Sequence, residues 1–99
     1  MLIIKDIVHD TFTNAAGFVL FTALKLELDK SAEVLPLSFA GVTSTSSSFL
    51  NSSIGAIADD YGLDILKRIK PMHVGATQSE ILKKYIFKLK IQSSSRKLL

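Results

Sequence analysis

The chain has no cysteine and no tryptophan, and only two prolines and five glycines among its 99 residues. Without cysteine there are no disulfides, no thiolate metal ligands and no cysteine nucleophile. Such usage fits a reducing compartment. The glycines, Gly17, Gly41, Gly55, Gly62 and Gly75, are scattered, and neither nucleotide-binding glycine pattern occurs. A membrane helix needs about 18 consecutive apolar residues. The most apolar stretch, residues 15–28, is interrupted by Thr22, Lys25 and Glu27. The opening Met1-Leu2-Ile3-Ile4-Lys5-Asp6 has no basic region ahead of an apolar core, so no signal peptide is read and the cytoplasm is the expected location.

Chemistry-bearing clusters are also scarce. His9 and His73 each stand alone, without the spacing of a metal site, and spacing ties neither to a serine as its base. Asp59 and Asp60 are adjacent, and neighbouring helix residues point about 100° apart, which suits them poorly to one shared ion. A local ion pair explains them equally well. The expectation is a protein that is not an enzyme, with no metal and no cofactor.

What the chain does have is a globular composition, 47% hydrophobic and 21% charged, at a length for one domain. Its charge is uneven. Residues 1–62 carry three lysines against seven acids, whereas residues 63–99 carry nine basic residues against Asp64 and Glu80. A basic end of this kind can attract nucleic acid, an acidic membrane surface or an acidic protein.

The β-branched run Leu2–Val8 predicts a strand. Thr13 or Asn14 is positioned to cap a helix over residues 15–28, with Phe18, Val19, Leu20, Phe21, Leu24 and Leu28 as its buried stripe. Residues 34–39 predict a second strand, with Pro36 favouring an edge. A second helix is expected over 47–61, with Phe49, Leu50, Ile54, Ile57 and Ala58 buried and Gly62 ending it in a left-handed conformation. One further helical turn is expected at 64–67 and a third strand at 69–74. The last helix is expected over 78–89, capped by Thr77 with Glu80 three residues on. Tyr85 and Phe87 are assigned to the core.

The fold class is therefore α/β: a small domain of β-α-β-α-β-α order, with a mostly parallel or mixed sheet flanked by helices. Residues 1–91 form the domain and residues 92–99 a flexible basic tail. A fourth strand is allowed for between residues 8 and 14. Sheet edges pair unless blocked, so a homodimer is expected.

One segment exceeds structural need. Thr43-Ser44-Thr45-Ser46-Ser47-Ser48 places six hydroxyls before a helix, where a cap requires one. Excess hydroxyls at a strand-to-helix turn suit a partner-binding surface or a phosphorylation site. A phosphate there would meet free backbone N–H groups and change about two units of charge.

With the strand 34–39, Gly41-Val42, Ser46-Ser47-Ser48-Phe49-Leu50-Asn51-Ser52, Tyr61-Gly62 and Leu66-Lys67-Arg68-Ile69-Lys70, the chain resembles the STAS-like domains of bacterial and phage proteins, relatives of the anti-sigma-factor antagonists. The resemblance covers about residues 30–90. It implies a non-enzymatic regulatory module that binds another protein, a histidine-kinase-like ATPase or a similar regulator. It implies phosphorylation at Ser47, with Ser48 beside it, and a contact face of Thr45, Ser46, Ser47, Ser48 and Asn51. The antagonists usually carry an aspartate before that serine and a glycine two after it; here Ser46 and Phe49 stand there. The alternative is a small nucleic-acid-associated protein, or a phage inhibitor of a host complex. It would use the basic residues Lys83, Lys84, Lys88 and Lys90, with Arg96 and Lys97 beyond.

Overall fold

In the computed structural model, the backbone of residues 1–98 and the side chains of residues 1–92 are described. The elements run β1 (Leu2–Ile3), α1 (Ile4–Ile7), α2 (Asn14–Lys30), β2 (Leu35–Ser38), α3 (Ser47–Ser52), α4 (Ile54–Tyr61), a 3₁₀ segment (Leu63–Arg68), β3 (Ile69–Met72) and α5 (Ala76–Leu98). The three strands form one sheet in the order β1-β2-β3, and both pairs are parallel.

This order decides where the helices go. Right-handed crossovers that step twice in the same direction land on the same face of a sheet. Leu37, Ile69 and Pro71 of the strands accordingly share a small apolar cleft with Ile54, Leu82 and Ile86 of the helices. The core lies between the layers, where Ile4, Leu20, Leu24, Leu37, Phe39, Phe49, Leu50 and Ile57 are almost fully buried. On the opposite face sit Ile3, Pro36, Ser38, Lys70 and Met72; Lys70 is exposed and Ile3, Pro36 and Met72 are half-buried.

Pro36 lies in the central strand, not at an edge. The Phe39 amide donates to the Met72 carbonyl at 2.8 Å, so odd-numbered residues of β2 turn their N–H groups toward β3. Pro36 therefore faces β1, whose ladder begins one residue later at Leu2↔Leu37. No donor is lost. The same alternation turns the nitrogen of Pro71 to the open edge of β3, where proline also discourages a further strand.

Four other expectations are corrected. The first strand ends after Ile3, because Ile4 turns inward to complete burial and starts one helical turn, overriding β-propensity. No fourth strand occurs among the described residues; at 10–13 the chain turns around Asp10, whose carboxylate accepts from the amides of Phe12 and Thr13. The expected helix over 47–61 is broken at Ser53. The Ser53 hydroxyl takes the Phe49 carbonyl at 2.7 Å, and its amide shifts to Leu50. The last helix starts at Ala76, before Thr77, so no Thr77 capping box forms. It also runs past Leu89 to Leu98. From residue 93 on, the tail expected over 92–99 lies outside the described side chains, as do Arg96 and Lys97.

Other signals are met. Thr13 caps α2 by accepting from the Ala16 amide at 3.1 Å. Gly62 ends α4 with φ of 93°. Arg68 closes the far end of α2, donating to the Leu28 carbonyl at 3.2 Å and to the carbonyls of Ser31 and Glu33. Among the described residues, no helix is long and apolar enough to cross a membrane.

Candidate functional site

The hydroxyl run leaves β2 through Gly41, whose φ of 77° suits glycine, and Val42, whose amide returns to Phe39 at 2.9 Å. It is then stitched to two distant segments. The Thr11 hydroxyl donates to the Ser44 carbonyl at 2.8 Å, and the Ser46 amide donates to the Thr11 carbonyl at 3.1 Å. The Ser46 hydroxyl donates to the Phe12 carbonyl at 2.6 Å and accepts from the Phe49 amide at 3.1 Å, which makes it the cap of α3. From the other side, Gln78 Nε2 donates to Thr45 Oγ1 at 3.0 Å. Gln78 is 1% exposed, and its Oε1 has no partner among the described residues.

The six hydroxyls thus divide by role. Thr45, expected on a contact face, is 7% exposed and braces the loop. Ser46 is consumed as a cap. Ser47 and Ser48 are exposed, and their hydroxyls make no hydrogen bond within the described residues. Asn51 is exposed, and its Oδ1 accepts from the Tyr85 hydroxyl at 2.8 Å. Burial first, then the charge of Asp59, push the Tyr85 phenol up to about 12.

Behind this turn is an open groove of about 250 Å³ between α3 and α5. Leu50, Ile81 and Tyr85 are apolar in it, Thr45 and Ser47 contribute hydroxyls, and Lys84 and Lys88 contribute ammonium groups. Two of the expected basic residues therefore meet the serine run, which sequence separation of nearly 40 residues concealed. Lys83 and Lys90 are exposed elsewhere on α5. Phe87, assigned to the core, is instead 65% exposed among these lysines.

A second concavity, of about 340 Å³, opens at the carboxyl ends of β1 and β2, lined by Lys5, His9, Asp10, Thr11, Gly41 and Ser44 among others. Hydrogen bonds from the Phe12 and Thr13 amides hold the Asp10 carboxyl below its ordinary range. At the next strand end, the Ser38 hydroxyl lies 2.9 Å from His73 Nδ1, a pair that no sequence spacing suggested. Ser38 is 1% exposed, and its hydroxyl also accepts from the Ala40 amide at 3.2 Å. Asp60 forms an ion pair, but not a local one: its partner is Lys25 of α2 at 2.6 Å, 35 residues away in sequence. Among the described residues, no three His, Asp or Glu side chains cluster as metal ligands.

The architecture is that of a small α/β domain with a three-stranded parallel sheet flanked by helices. The sequence profile of a family described as a STAS-like domain of unknown function matches residues 16–78, and the chain belongs to that family. The match includes β2, the hydroxyl run, α3, α4 and β3, and reaches Gln78. No curated protein and no solved structure matches the chain.

Proposed function

We propose that this domain is a regulatory module that binds another protein through the Ser47–Ser48 turn and the exposed side of α3, and that phosphorylation of this turn switches the contact. The observation that supports this reading is the division of the hydroxyls. Folding uses Thr45 and Ser46, while Ser47 and Ser48 stand exposed, their hydroxyls without a partner among the described residues. A protein kinase of the partner class, a histidine-kinase-like ATPase, would transfer the terminal phosphoryl group of ATP to a serine hydroxyl, releasing ADP and the hydroxyl proton. The product carries close to two negative charges, enough to repel or reorganise a contact face.

Capture of a partner from source-cell lysate by wild type and by Ser47→Asp, at low and high salt, tests the reading. Salt-resistant capture by wild type, lost with Ser47→Asp, upholds it. Equal capture by both proteins refutes the switch.

A second reading draws on Phe87. An exposed aromatic among Lys83, Lys84, Lys88 and Lys90 combines stacking surface with positive charge, as single-stranded nucleic-acid binding requires. Binding of a labelled oligonucleotide that falls steeply with salt and is lost with Phe87→Ala would favour it.

A further inference from the structure

Lys84 and Lys88 are four residues apart on α5, so they share one helix face. Neither forms an ion pair within the described residues, and like charges at this spacing repel. Both line the groove between α3 and α5, which no acid lines among the described residues. Of the acids, Glu80 lies one turn before Lys84 on α5, and the charge of Asp59 is felt at Tyr85. Across the groove stands Ser47, whose hydroxyl has no partner among the described residues. Ser48 is also exposed, but it points about 100° away around the helix and is not among the described residues of the groove wall.

We propose that Lys84 and Lys88 are the counter-ions for a phosphate on Ser47, so that the modified serine bridges the groove to α5. The proposal rests on the phosphorylation reading above and supplies two things that reading leaves open: which serine carries the phosphate, and where its charge goes. A lysine ammonium is a compact donor suited to phosphate oxygens, and two of them match a dianion. Once bridged, the phosphate closes the groove over Leu50, Ile81 and Tyr85. Modification then removes a recess from the contact face as well as adding charge to it.

The test uses the full chain with phosphoserine incorporated during translation at position 47, or at position 48 as the control. The ³¹P resonance is followed through the second ionisation, which lies near pH 6 for an unperturbed phosphoserine. The expected midpoint at 47 lies about half a pH unit or more below that at 48, because adjacent cations favour the dianion. Lys84→Gln/Lys88→Gln, on exposed side chains, abolishes the difference while circular dichroism stays unchanged. Equal midpoints at 47 and 48, or a difference that survives loss of both lysines, overturns the proposal. Partner capture separates it from the switch. A lysine-dependent midpoint with capture intact keeps the counter-ion pair and removes the switch. Capture lost without lysine dependence does the reverse.

Discussion

Gln78 Nε2 and Thr45 Oγ1 lie 3.0 Å apart, both residues buried, and this bond ties the start of α5 to the hydroxyl run 33 positions earlier. Removing one partner strands the other away from water, at about 1–3 kcal/mol, whereas replacing both by apolar groups of similar shape is close to neutral. Thr45→Val should therefore destabilise the domain by about 1–3 kcal/mol, because it orphans Nε2. Gln78→Met removes the already unpartnered Oε1 as well, so it should cost less. The double variant should recover most of the Thr45→Val loss. Urea unfolding of all four proteins closes the cycle; strictly additive losses would mean that the two side chains do not interact.

Gly17 sits where α2 packs tightly on α3. A Cβ at that position would stand 2.5 Å from the Phe49 carbonyl oxygen and 2.7 Å from the Ser52 Cβ. Alanine ordinarily stabilises a helix by up to about 1 kcal/mol relative to glycine. Here the clash is with backbone, so overpacking at about 1–3 kcal/mol should win and Gly17→Ala should lower stability. Gly75→Ala, where a Cβ meets nothing within 4 Å, is the control and should change little. A stabilised Gly17→Ala protein would show that the two helices stand farther apart.

The order of elements was legible because each carries its own local chemistry: β-branched residues around Ile3, the Thr13 cap, the apolar run of β2, and Gly62 after α4. What was hidden was set by distant partners. Ile4 leaves its strand because the core takes it. Helix 47–61 breaks because the Ser53 hydroxyl competes for the Phe49 carbonyl. The serine run was visibly in surplus, but which hydroxyls folding consumes depends on Thr11, Phe12 and Gln78, all 33 or 34 residues away in sequence. Likewise nothing local to Lys84 and Lys88 announced that they would face Ser47. A buried glutamine and the Ser38–His73 pair leave no periodic trace at all.

Stability should fall in strong alkali through Tyr85. Its native phenol ionises at about 12, against 10.0 for an ordinary tyrosine, so the unfolded chain loses its proton first. The contribution is complete below pH 10 and is lost as pH rises from 10 to about 12, on the order of 2 kcal/mol in all. Tyr61, raised chiefly by its hydrogen bond to Asp29, acts in the same direction at an exposed site. The difference between wild type and Tyr85→Phe isolates the buried group. At neutral pH, Tyr85→Phe should cost about 1 kcal/mol through its lost bond to Asn51. Between pH 10 and 12 that gap should close and then reverse, because the loss on the order of 2 kcal/mol exceeds the starting difference of about 1, read from urea midpoints. A gap that stays constant would mean that Tyr85 ionises as readily in the native state as in the unfolded chain.

The face that α2 turns outward can be decided by comparing Phe18 with Leu24. Spacing alone placed Phe18, Val19, Leu24 and Leu28 together on a buried stripe, because α2 is apolar almost all round until Lys25 and no polar side orients it. The structure separates them: Leu24 is 0% exposed, while Phe18 is 62% and Val19 48% exposed. The core takes Leu20, Leu24 and Leu28, and Lys25, beside that face, pairs with Asp60 and lies over the Tyr61 ring of α4. Phe18→Ser should therefore cost no more than about 1 kcal/mol, mostly its stacking on Phe21. Leu24→Ala should cost about 2–5 kcal/mol, since it opens a cavity in the core. Denaturant unfolding of the two variants checks this. If Phe18→Ser proved as damaging as Leu24→Ala, α2 would have to be rotated, and the contacts of Gly17 with α3 would go with it.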